Sequence, residues 1–245
     1  MVDVFSPVVL AIALVLGLEH AFDADHIVAI STILGNTKSV RKSLFLGTMW
    51  GLGHTVTIFI VGIIVLALRV VIPQSIVNIF EAAAAVLLIV LGVYVIRGLV
   101  IERKKHKSED FDPHLHPEHE HEHTHEGHTH HHPHSHSNDH SGHNHTHMSL
   151  FAGAIQGLGG SAAIMLVALS TVGSALIGVV FILIFGLGVI VGMLGIGALI
   201  GGLLKFTAVH VEKIHYAIRA IAGSISIAFG VLIILSILLT GKTFL

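Results

Sequence analysis

The stretch LEHAFDADHIVAI, residues 18–30, sets Glu19, His20, Asp23, Asp25 and His26 inside an otherwise apolar run. On either side the chain is oily: AIALVLG (11–17) leads in and ISTIL (30–34) leads out. An ionisable group at the centre of a bilayer costs about 2.5–3.5 kcal/mol even on the lenient insertion scale. A sequence that puts several there needs something to compensate them, so the fold turns on whether the surrounding run is a membrane span.

Composition answers that it is. The 245 residues are 53% hydrophobic and 11% charged, with a mean hydropathy of +0.85, values that belong to chains solvated largely by lipid. A helix needs about 20 apolar residues to cross the hydrocarbon core. Six windows qualify, at 5–33, 44–68, 77–99, 149–172, 175–203 and 217–240, separated by turn or charge signals such as Gly35-Asn36 and Pro73. The N-terminal MVDVFSPVVL lacks the basic segment of a signal peptide, so the first run is expected to stay in the mature chain. The expected fold is all-α, a polytopic membrane protein of six transmembrane helices.

Charge sets the orientation. Lys38, Arg41, Lys42, Arg97, Arg103, Lys104, Lys105, Lys107, Lys205, Lys213 and Arg219 fall on one side of this layout, and only Arg69 and Lys242 on the other. Positive residues of short loops stay in the cytoplasm, so both termini are expected outside and the loop between spans three and four inside. That loop, 101–148, is a break in composition: positions 106–147 hold 17 histidines, as in HEHTHEGHTHHHPHSH. It has too little apolar surface to bury a core and is expected to be disordered. The domains are then a first three-helix half (1–100), the His-rich cytoplasmic loop (101–148) and a second three-helix half (149–245).

The halves resemble each other. GLEHAFDADHIVAIST (17–32) parallels GLGGSAAIMLVALST (157–171), WGLGHTVTIFIVG (50–62) parallels FGLGVIVGMLGIG (185–197), and LGVYVI (91–96) parallels FGVLII (229–234). With three spans per half the second copy runs inverted through the bilayer, as in many transporters. The chemistry is lopsided: where the first half has His20, Asp23, Asp25, His26 and His54, the second has glycine and aliphatic residues, with Val189 opposite His54.

The chain has no cysteine, so a metal site must use imidazole, carboxylate or backbone oxygen, donors that suit Ni²⁺, Co²⁺ or Zn²⁺. On a regular helix, with His20 at 0°, Asp23 falls at about −60° and His26 at about −120°, one shared face. Asp25 falls at about +140°, where it would hold a histidine N–H, or join the metal if the helix unwinds. His54 lies eleven residues past Ser43 and His20 eleven before Ser31, which puts both roughly 16 Å from the cytoplasmic helix ends. Gly51 and Gly53 would let their helices approach closely. His26 is then one to two turns nearer the cytoplasm, a second station on the way through. The expected metal residues are therefore His20, Asp23, Asp25, His26 and His54.

This constellation resembles the nickel/cobalt transporter family, whose signature is His, four residues, then Asp-His, matched by His20, Asp25 and His26, followed by a second histidine motif matched by LGHT at 52–55. The resemblance covers mainly residues 17–62 and the overall layout. It implies divalent metal translocation with those four residues in the selectivity site. Longer members have eight spans and further acidic motifs in the second half; this chain is similar to the short, urease-accessory type.

Other polar residues have plainer readings. Glu19, at about −100° from His20, could flank the site or face another helix. Glu81 follows Asn78 by three and resembles a capping box opening the third span. His210 and His215 read as solvated interface residues between spans five and six, and the histidine tract as a multivalent buffer or sensor of metal. There is no GxxxxGK[ST] nucleotide motif. The function expected is a secondary importer of Ni²⁺ or Co²⁺, not an enzyme, with the ion as transported substrate and no resident cofactor. Its partners are the bilayer and the metal ion, with a cytoplasmic metallochaperone as candidate recipient and no nucleic acid. The alternatives are an efflux permease of the same architecture, a membrane metalloenzyme, or a sensor in which the histidine loop is indispensable.

Overall fold

A computed structural model describes residues 7–35, 37, 39–70, 72–109, 120–125, 128–133, 142–157, 159 and 174–241. Seven helices dominate: α1 (Pro7–Ala21), α2 (Ala24–Leu34), α3 (Val40–Leu68), α4 (Gln74–Glu109), α5 (Gly142–Gln156), α6 (Ala175–His210) and α7 (Glu212–Thr240). A two-stranded antiparallel hairpin, β1 (Glu120–His125) and β2 (His128–Pro133), lies in the histidine tract. A helix is what an apolar run adopts in lipid, because it satisfies every backbone N–H and C=O within the segment. The side chains agree: Leu199, Leu238 and Leu239 are among many large apolar residues facing outward, an arrangement that lipid favours and water would not.

Four helical segments, Val40–Leu68, Gln74–Lys104, Ala175–Ala208 and Lys213–Thr240, are long and apolar enough to cross a membrane, and they correspond to the second, third, fifth and sixth expected spans. The first expected span is not one straight helix. It is the pair α1 and α2, bent by 56° at Phe22–Asp23. Of the fourth, α5 supplies the beginning; residues 160–173 lie outside those described, as do residues 1–6, Asn36, Lys38 and Lys242. Within the stretch expected to lack regular structure, α4 runs on to Glu109, the hairpin follows, and α5 begins at Gly142.

Packing fixes the direction of each helix. α3 runs antiparallel to α6, with Gly47 against Met193, Gly51 against Ile190 and Gly201 against Val40. α1 lies parallel to α6, and α5 parallel to α3. The second half therefore traverses the bundle in the opposite sense to the first. Close approaches repeat between the halves: Gly17 abuts the Phe185 carbonyl as Gly153 abuts that of Trp50, and Gly188 abuts the Leu14 carbonyl as Gly53 abuts that of Leu150. Gly192 meets Ala21 as Gly157 meets Thr57, and Gly92 meets Gly223 and Ile227 as Gly230 meets Ala85 and Ile89. These pairs keep the expected registers of the second and third helices. They shift the first by about one turn, so that Gly17 corresponds to Gly153 rather than Gly157. Contacts decide register; the shared letters GL at 17 and 157 do not.

At the end where α4 finishes and α7 begins, Arg219 donates from both terminal nitrogens to Glu102, at 2.9 and 3.1 Å. At the other end Asn78 donates to the Gly241 carbonyl at 2.7 Å, and Gly241 closes α7 with φ 69°, a left-handed conformation glycine adopts without strain.

Candidate metal centre

The break between α1 and α2 builds the site. The amides of Phe22 and Asp23 bond back three residues to the Glu19 and His20 carbonyls, the tight turn that ends a helix. Asp23 then takes the N-cap position of α2 with ψ 145°, while its side chain caps nothing in that helix. It accepts instead from His20 Nδ1 at 2.9 Å. That bond fixes the tautomer of His20 and leaves Nε2 with its lone pair free to bind.

His26, in the first turn of α2, folds back over the end of α1. Its Nδ1 donates to the His20 carbonyl at 3.0 Å, one of the oxygens a helix end leaves without an intrahelical partner. His26 Nε2 is thereby left as the acceptor, with Asp25 Oδ2 3.8 Å away. The third imidazole comes from α3: His54 Nε2 lies 2.9 Å from His20 Nε2. All three rings are buried, with centroids 4.7 Å (His20–His26), 4.9 Å (His20–His54) and 4.9 Å (His26–His54) apart. One donor atom from each lies within 4.8 Å of the others. Phe185 on α6, 5.5 Å from the His20 ring, and Trp50 on α3, 5.9 Å from the His26 ring, wall the cluster.

The five expected residues thus meet, in roles that differ from a regular helical wheel. His26 is not a separate station toward the cytoplasm; the bend returns it to His20 and His54. Asp23, not Asp25, orients a histidine, and it is the more exposed carboxylate, at 31% against 5% for the Asp25 side chain. Glu19 is exposed and faces away. Glu81 does not open a helix: α4 starts at Gln74, and Glu81 is buried two turns inside it. His215 is buried rather than solvated, beside Tyr216 and one turn from the buried Arg219; of the His210 side chain nothing is described. Sequence reasoning passed over Trp50 and Gln156, both wholly buried with polar side-chain atoms. Gln156 ends α5, and a single polar residue closing an apolar helix was a signal available in the sequence.

Three neutral imidazoles with two carboxylates leave an excess of negative charge inside an apolar bundle. A divalent cation would cancel it, and nitrogen donors with nearby carboxylates suit a borderline transition metal.

Fold and cluster together define a class: a multi-pass helical membrane protein whose polar groups converge inside the bundle rather than on its surface. Residues 7–245 match the family model NicO, high-affinity nickel-transport protein. The chain belongs to the NicO family. It is similar to the urease accessory protein UreH of Bacillus sp. (strain TB-90), with 33% identity over 231 residues, 94% of this chain and 91% of that protein. No solved structure matches it. The protein is accordingly a membrane transporter of metal ions and not an enzyme.

Proposed function

We propose that the protein imports Ni²⁺, and Co²⁺ as the second substrate, through a transient site made by His20, His26 and His54. Asp23 orients His20, and Asp25 supplies charge and a potential oxygen ligand. The observation that carries this reading is the 2.9 Å between His20 Nε2 and His54 Nε2. Two nitrogens at that separation, each about 2.0–2.1 Å from a shared ion, subtend an angle of about 90° there, whereas a tetrahedral ion would need them about 3.3 Å apart. A right angle suits square-planar or octahedral coordination and favours nickel or cobalt over zinc.

Inward movement agrees with the electrical gradient. A doubly charged ion driven by 100 mV gains about 4.6 kcal/mol, enough for roughly thousandfold accumulation without other coupling. With the charge asymmetry of the loops, this reading puts both termini outside and the histidine tract inside, where it receives incoming metal and passes it to a metallochaperone. The test is radiolabelled Ni²⁺ and Co²⁺ accumulation in cells expressing wild type, His20→Ala, His54→Ala or a deletion of the histidine tract. Import predicts raised accumulation with wild type and its loss in both histidine variants. Lowered accumulation would mean export, and unimpaired transport by both variants would dismiss the three-histidine site.

A further inference from the structure

Gln156 is wholly buried at the end of α5, and neither its Oε1 nor its Nε2 has a hydrogen-bond partner among the described residues. An unpaired amide inside an apolar bundle is costly, because each lost hydrogen bond with water goes unreplaced. Its place in the fold is not arbitrary. The repeated contacts that relate Gly17 to Gly153 and Ala21 to Gly157 relate His20 to Gln156. Each residue sits in the last turn of its helix, α1 or α5. In the first half His20 lies against Phe185, and the residue corresponding to Phe185 in the other half is Trp50. Gly153, one turn before Gln156, packs against Trp50 Cδ1, the carbon bonded to Nε1. Trp50 Nε1 is itself buried with no hydrogen-bond partner among the described residues. The same indole ring lies beside His26 of the three-histidine cluster. Gly157, the residue after Gln156, packs against the His54 backbone.

We propose that Gln156 forms a second station for the transported cation, across Trp50 from the three imidazoles, where its Oε1 accepts the ion or one of the ion's bound waters. The proposal rests on the three-histidine reading and adds the next step along the path. Three imidazoles hold a divalent ion tightly and strip its water. Release needs a weaker oxygen donor close by, so that the shell is rebuilt stepwise; a path with sites strong enough to enter and weak enough to leave conducts fastest. One neutral amide oxygen is such a donor. Trp50 Nε1–H can donate to a water held there, but as a donor it cannot ligate the metal.

The experiment compares wild type with Gln156→Leu, Gln156→His and His54→Ala, all purified in detergent for Ni²⁺ equilibrium dialysis and expressed in cells for Ni²⁺ uptake. Gln156→Leu removes the donor at similar volume; Gln156→His supplies another donor. The expected result is that Gln156→Leu binds Ni²⁺ with wild-type stoichiometry and affinity while its maximal uptake rate falls roughly tenfold or more, and that Gln156→His recovers much of that rate. Monodispersity on size exclusion is the check on folding. Wild-type uptake by a monodisperse Gln156→Leu overturns the proposal. So does parallel loss of uptake in Gln156→Leu and Gln156→His, which marks a packing role. His54→Ala reports separately on the first site: its retention of full Ni²⁺ binding would overturn the three-histidine reading itself, whatever the Gln156 variants do.

Discussion

His20 is held at both ring nitrogens, by Asp23 at Nδ1 and by His54 at Nε2. The first contact is structural whether or not an ion is present; the second is the one an ion would replace. Removing the orienting carboxylate should therefore weaken the metal more than the fold. Asp23→Ala is expected to raise the KM for Ni²⁺ uptake about 10- to 100-fold, the usual effect of losing an outer partner of a ligating histidine, with protein abundance in the membrane unchanged. Uptake kinetics normalised to immunoblot signal check it, and an unchanged KM would show that the Asp23 bond does not set the histidine's readiness. His20, His26 and His54 could be singled out from the sequence because ionisable groups in an apolar run stand out energetically. The division of labour between Asp23 and Asp25 could not, because the angles on a helical wheel assume an unbroken helix and Asp23 sits where this one breaks. Gln156 and His215 were equally hidden, since burial depends on which neighbour covers a face.

Among the elements, the seams between helices do the positioning. Helix association in lipid lacks a hydrophobic drive and depends on close backbone approach. On α6, Gly188 faces the backbone of α1 at Leu14, Gly17 and Leu18, whereas around Gly195, two turns on, there is open space. A Cβ at Gly188 would overlap the Leu14 carbonyl and push away the helix that carries His20. Gly188→Ala is expected to destabilise by about 1–3 kcal/mol, the range for overpacking, and to lower the thermal midpoint of the purified protein, while Gly195→Ala leaves it in place. Thermal unfolding of the two variants side by side checks this, and equal midpoints would mean that the α1–α6 seam is looser than its geometry. The existence of these helices was legible from hydropathy alone. The bend at Phe22–Asp23 was not, because its cause is local: Asp23 ends one helix and begins the next within a window that reads as continuous. Nor was the register of the first repeat, which four residues of similar glycine-rich sequence (153–157 against 157–160) leave ambiguous until Gly153 is seen on Trp50.

For the whole molecule, the inverted run of the second half makes the two ends of the bundle unlike in charge. Arg41 and Lys42 begin α3, Lys205 lies near the end of α6, Lys213 and Arg219 begin α7, and Arg97, Arg103 and Lys104 lie toward the end of α4. The antiparallel pairing of α3 with α6 and of α4 with α7 collects all of these at one end, while Arg69 caps α3 at the other. The sequence already gave this asymmetry, since it follows from the order of apolar runs; the helix directions now account for it physically. A basic end retained in the cytoplasm puts Ser75, at the start of α4, outside and Ser135, within the histidine tract, inside. The absence of cysteine makes the test clean, because any single cysteine introduced is the only thiol. A membrane-impermeant maleimide applied to intact cells should label Ser75→Cys and leave Ser135→Cys unlabelled until the membrane is permeabilised. The reverse pattern would place the histidine tract outside, where it could gather metal before transport but could not receive it afterwards, and the handover to a cytoplasmic acceptor would fall with it.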